Sequence, residues 1–299
     1  MKFQLPDELK NQVPQTFWGK VLTATPVVMT VVATMLAGLA SSEMTRAQYE
    51  RSLAAQLQSK AGDQWGYFQA KRLRSAMQRS TLDLLRTMTP IRPLDAAALP
   101  GFGVLDDSSR TALQTGTPPA LPAAAPMDPK LDAALDAVSN SLPESEIVSR
   151  LARVKDQDLE LAMRAAKDRV AAFDDALKPV NQAMDRYEKT FSSAPSSDAL
   201  SRDFTAVRLR YQAARYDTES RLNQTVANLY ELQVRKSNAL AERRHRRSER
   251  FFYGMLAAQA AVIVSTFSLA AQRRSMLWFL AAAAGLAAVA FAIYVYFYI

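Results

Sequence analysis

The 299 residues contain no cysteine and a single histidine, His245. Without cysteine there is no disulfide, zinc ribbon or thiol nucleophile, and the redox compartment is not legible from cysteine usage. One imidazole set in a run of arginines neither builds a metal site alone nor serves a Ser-His-Asp triad of the usual kind. There is no phosphate-cradling glycine loop, no Gly-Lys-Ser/Thr and no His-Glu-x-x-His, and Gly101-Phe102-Gly103 is too short for a dinucleotide fingerprint. The close acidic sets are Asp106-Asp107, Asp156-Gln157-Asp158 and Asp174-Asp175. They read as solvated helix faces rather than a shared cleft for general acid/base work. No catalytic, cofactor-binding or metal-ligating residue is expected, and the chain reads as a non-enzyme.

Charge is also missing from three long stretches. Residues 21–42, 251–271 and 275–299 carry no Asp, Glu, Lys, Arg or His, although the chain as a whole has a mean hydropathy of only −0.12. About 20 apolar residues at 1.5 Å rise match a bilayer core, so each is predicted to be a membrane-spanning helix. A signal peptide is the rival for the first, since Lys20 precedes it and Gly38-Leu39-Ala40 offers small residues for cleavage. Its length favours a retained span. The second and third, separated by Gln272-Arg273-Arg274, must form an antiparallel hairpin, because lipid tolerates no unpaired backbone. Ala281, Gly285 and Val289 beside Ala284, Ala288 and Ala292 offer close helix packing on the third. Thr23, Thr30, Thr34, Gln259 and Thr266 suit interhelical hydrogen bonds more than a pore lining. The absence of intramembrane ionisable groups weighs against a transporter.

The formal net charge is +8, and the excess lies beside an apolar run: Arg243, Arg244, Arg246, Arg247 and Arg250 directly precede Phe251. Such a cluster meets anionic lipid headgroups or fixes topology, and no nucleic-acid partner is expected. The Lys/Arg excess near the span ends places the long polar segment in the cytoplasm, the N-terminus outside and the C-terminus inside. Across the first span alone the count is even, which leaves an extracytoplasmic segment as the alternative.

No alternating strand pattern appears between the spans. After the tail 1–20 and first span, residues 43–89 repeat Tyr49, Leu53, Leu57, Ala61, Trp65 and Phe68 at helical spacing. Residues 90–130 hold eight of the 14 prolines and are expected to be a flexible linker. Residues 131–250 are expected to form an antiparallel helical hairpin ending in the basic run. Ser141 is a possible N-cap, Ile147, Leu151 and Val154 lie on one helix, Pro179 kinks without terminating, and residues 192–197 make the turn with Ser197 as the next cap. The fold class is therefore all-α: three transmembrane helices plus an antiparallel helical bundle or coiled-coil stalk.

One stretch is singular: Trp65-Gly66-Tyr67-Phe68-Gln69-Ala70-Lys71. Trp65, Phe68 and Gln69 with Arg72 share a helix face and Gly66 would let a backbone approach, so it is expected to be a helix-packing motif with Lys71 and Arg72 at the polar edge of the contact, and a ligand site is the alternative. This Trp-x-Tyr-x-Gln-Ala-Lys sequence after a span, with a closing two-span hairpin, resembles the bacterial membrane proteins grouped as domain of unknown function 4337. The resemblance covers the first span through Ser80 and again Arg243 to the C-terminus; it implies an inner-membrane, multi-pass location and no reaction. The chain reads as a membrane-anchored scaffold or homo-oligomer with an unspecified protein partner. The rivals are an oligomeric pore component and a sensor or polymer-length regulator with an extracytoplasmic stalk.

Overall fold

The computed structural model describes residues 17–95, 99–193, 198–270 and 276–298. Every regular element among them is helical: α1 (Phe17–Met88), a 3₁₀ turn (Phe102–Val104), α2 (Asp107–Thr115), α3 (Pro129–Ser139), α4 (Glu144–Leu151), α5 (Asp156–Ser193), α6 (Asp198–Ala270) and α7 (Met276–Tyr298). The architecture is all-α. The chain divides into two compact units, residues 1–53 with 237–299, and residues 54–236. Two helices, α1 and α6, carry apolar stretches long enough to cross a membrane, and α7 contributes a shorter apolar segment among the described residues.

The first unit packs α1, α6 and α7 through small residues. Ala33, Ala40, Ala258 and Ala288 are buried with Leu36, Phe251 and Val295. On α7 the buried positions Ala281, Gly285, Ala288 and Val295 lie on the expected face, while Val289 turns outward. Gly285 faces Met29, whose thioether end occupies the space a Cβ would take. Thr30 and Thr34 donate their hydroxyls to Pro26 O and Thr30 O of their own helix, at 2.8 and 2.9 Å, and Thr266 does the same to Val262 O at 2.8 Å. These bonds lie within one helix, where the sequence suggested bonds between helices. An interhelical bond comes from Ser248, whose Oγ donates to Ala40 O at 2.7 Å.

The second unit is a bundle of α1, α5 and α6 with three short helices packed on it. The apolar repeat on α5 buries Phe173, Leu177, Val180, Met184 and Tyr187, and the helix runs through Pro179 as the register predicts. Phe204, Val207, Tyr211, Leu222, Val226 and Leu229 of α6 face inward. The long hairpin arm expected over residues 131–193 is broken into three helices. Ser141 takes a left-handed φ of 52° rather than capping, and α4 starts at Glu144 after Pro143. A second turn, with Val154 N bonded to Leu151 O at 3.1 Å, ends α4. Leu151, Val154 and Leu159 are nevertheless all buried in one cluster, which is why the apolar spacing reads straight across the break. Of the turn expected at 192–197, Ser192 and Ser193 still belong to α5, and the rest, Ser197 included, lies outside the described residues, as does the basic turn at 272–274.

The segment expected to be a flexible linker is in large part structured. Asp106 caps α2 by accepting from Ser109 N at 3.1 Å, and its bonds to Ser108 and Ser109 hold its carboxyl down at about 2. Leu94, Leu99, Ala112 and Leu113 are buried against α5 and α6. Tyr187 OH donates to Pro100 O at 3.0 Å and Arg169 Nε to Pro122 O at 2.8 Å. Prolines spare backbone donors and cost little ordering entropy, so a proline-rich chain can be pinned by a few leucines. Gly116 closes α2 at φ 71° with its N–H on Ala112 O, and a Cβ there would lie 3.0 Å from Arg210 Cβ and Cδ. Gly116→Ala should cost about 1–2 kcal/mol, read as a lower melting temperature of the detergent-solubilised chain.

Candidate functional site

The Trp65 to Lys71 stretch lies on α1 in the second unit, and its residues divide between two faces. Trp65 and Phe68 are half-buried, in an edge-to-face pair with centroids 5.4 Å apart and planes at 85°. The Arg72 guanidinium lies over Phe68 at 5.8 Å. Gly66, Tyr67, Gln69 and Ala70 face solvent. A Cβ on Gly66 would meet nothing within 4 Å, so no backbone approaches there.

Lys71, expected at the polar edge of the contact, points inward instead. Its Nζ lies 2.5 Å from Glu219 Oε2, and the Glu219 side chain is only 6% exposed. The other Glu219 oxygen takes Arg215 Nε at 2.6 Å. Arg215 NH1 and Tyr211 OH both donate to Asn181 Oδ1, at 3.0 and 2.9 Å. One turn further along α1, Ser75 Oγ donates to Ala213 O at 2.8 Å. Lys71, Arg74 and Arg215 surround the Tyr216 ring at 5.3, 5.9 and 5.4 Å. This polar layer joins α1, α5 and α6 inside an otherwise apolar bundle.

Burial, then the Glu219 charge, raise the Asp174 carboxyl above its ordinary value. Burial pushes the Tyr211 phenol up to about 12. A raised phenol favours the folded state below its unfolded value near 10 and loses that contribution as pH rises toward about 12. Tyr211→Phe should therefore flatten the fall in melting temperature across that window. Each Glu219 oxygen faces a cation, Lys71 on α1 and Arg215 on α6, so the arrangement tethers these helices. Among the described residues no group of three or more His, Asp or Glu could hold a metal.

One carboxylate of each acidic set is in an ion pair. Asp107 pairs with Arg110 and Asp175 with Lys178, each at 2.6 Å, and Asp156 with Lys236 at 2.5 Å. The basic run lies in the first unit. Arg244 reaches Glu43 at 3.4 Å, Arg246 Nε reaches Glu242 at 2.9 Å and His245 Nε2 lies 3.4 Å from Glu249. Arg243 is exposed, while Arg247 and Arg250 are half-buried.

Glu219, Asn181 and Tyr211 were missed from sequence; the signal available was a carboxylate, Glu219, one turn after Arg215 on the helix face continuing the Tyr211 register. No curated protein and no solved structure matches this chain. Residues 18–99, which span the first apolar stretch, the motif and the buried Leu94 and Leu99, match the family model described as Domain of unknown function (DUF4337).

Proposed function

We propose that the chain is a multi-pass membrane protein acting as a helical scaffold, one that self-associates or holds a partner near the bilayer. The inverted pattern of the first unit carries this reading. Val27, Val31 and Met35 on α1, Ile263 and Phe267 on α6, and Phe279, Leu280 and Leu286 on α7 face outward. The interior holds Ala258, Ala261, Ser265, Ser268 and Ala281. A water-soluble bundle buries its large apolar side chains, whereas membrane bundles pack small residues inside and leave the large ones to lipid. The intrahelical bonds of Thr30 and Thr34 satisfy those hydroxyls without a pore or a partner.

The three uncharged stretches then act as three spans in a bacterial inner membrane, with the long segment in the cytoplasm and the arginine run at anionic headgroups. Self-association is favoured by α1 of the second unit, where Leu73, Met77, Leu84 and Met88 form an exposed stripe with Gly66 and Ala70. The decisive measurement is mass in nanodiscs, expected to be a multiple of 33.0 kDa. A strict monomer rejects self-association. Reporters fused after Arg86 and Ile299 should sit in the cytoplasm, and one between Arg273 and Arg274 on the other side; the opposite pattern reverses the orientation.

A further inference from the structure

The two apolar stretches of the first unit leave between α1 and α6 a groove of about 560 Å³. It lies at the level where the first stretch ends and the second begins, since its walls include Ala37 from α1 and Phe252, Tyr253 and Met255 from α6. These are the apolar walls. At the other end stand His245 and Glu249, paired with each other at 3.4 Å. The groove is thus amphipathic along its length, and its polar end belongs to the arginine run.

That end is cationic. Residues 241–250 hold five arginines against Glu242 and Glu249. Arg246, Arg250 and Tyr253 fall at i, i+4 and i+7 and form one stripe along α6, and Tyr253 lines the groove. The nearby acids are already engaged: Glu43 by Arg244 and Arg46, Glu242 by Arg246, Glu249 by His245. Meanwhile His245, which lines the groove, has a buried Nδ1 with no hydrogen-bond partner. A buried polar atom left unsatisfied is costly, and a polar group bound at this point would be placed to engage it.

We infer that this groove is a binding site for one anionic phospholipid, its acyl chain along Ala37, Phe252 and Met255 and its phosphate at the His245 end, which Arg246 and Arg250 flank on the same helix. The inference rests on the membrane reading above. A phosphate bearing an acyl chain matches both ends of the groove at once; a free phosphate matches only one, and a neutral phospholipid leaves the arginine excess uncompensated.

The test uses the full-length chain purified in detergent, mixed with equal phosphatidylglycerol and phosphatidylcholine of the same acyl composition, and native mass spectrometry of what stays bound. Phosphatidylglycerol should be retained in excess. Arg246→Gln with Arg250→Gln should cut that excess about fivefold for each arginine removed. Ala37→Phe, which fills the apolar part, should lose both lipids while the melting temperature holds. Equal retention of the two lipids by the wild-type chain would overturn the proposal, as would a preference unmoved by the arginine changes or a protection by inorganic phosphate alone equal to that by lipid. Should Ala37→Phe fail to fold, the surface arginine variant still decides. Failure of the membrane reading itself would show separately, as release of the chain from membranes by alkaline carbonate.

Discussion

Glu219→Ala is expected to lower the melting temperature of the detergent-solubilised chain by about 10 °C, corresponding to a loss of about 3–5 kcal/mol. The carboxylate lies 2.5 Å from Lys71 and 2.6 Å from Arg215, and it is nearly inaccessible to water. Removing it leaves two cations facing each other in a bundle interior, with the side chains of α1 and α6 that they belong to no longer drawn together. Lys71→Ala should cost less, because Arg215 still neutralises Glu219. Replacing all three by methionine should recover much of the loss, since exchanging a whole buried ion cluster for apolar packing is often close to neutral. An unchanged midpoint for Glu219→Ala would sink the tether. Trp65→Ala should fall between these, since its ring is half-buried beside Phe68.

The motif shows where sequence reasoning reaches and where it stops. Periodicity placed Trp65 and Phe68 on one helix face because contacts at three and four residues are local and written in the spacing. Lys71 was assigned to the solvated edge by composition, since a lysine on a charged helix is usually there. Its actual partner lies on another helix far along the chain, and no local pattern encodes that pairing. The long apolar stretches and the α5 register through Pro179 were legible for the same local reason. The breaks after Ser139 and Leu151 were not, because the turns return the chain to the same hydrophobic cluster and preserve the four-three spacing across them. The hydroxyls of the first unit were legible as polar atoms in lipid but not as to which carbonyl each would choose.

Leu113→Ala is expected to cost about 2–5 kcal/mol and to shift the melting temperature by about 5–15 °C, which no flexible linker would do. The side chain is fully buried, in a cluster with Phe173, Leu177, Tyr187 and Tyr211. Truncation leaves a cavity lined by large side chains that cannot close over it without moving α5 or α6. The backbone around it has further anchors in Asp106 at the N-terminus of α2 and Gly116 at its end. Proteinase K should therefore leave residues 99–116 of the native chain intact and cut first in the exposed 123–126 stretch. In Leu113→Ala, cleavage should spread into 99–116, because the opening free energy that protects the segment is largely the burial of that leucine. Composition alone made this region a linker, since proline and alanine dominate its average. A few buried leucines outweigh that average when the ordering entropy is already low. Rapid cleavage within 99–116 of the wild-type chain would restore the linker reading and detach α2 from the bundle.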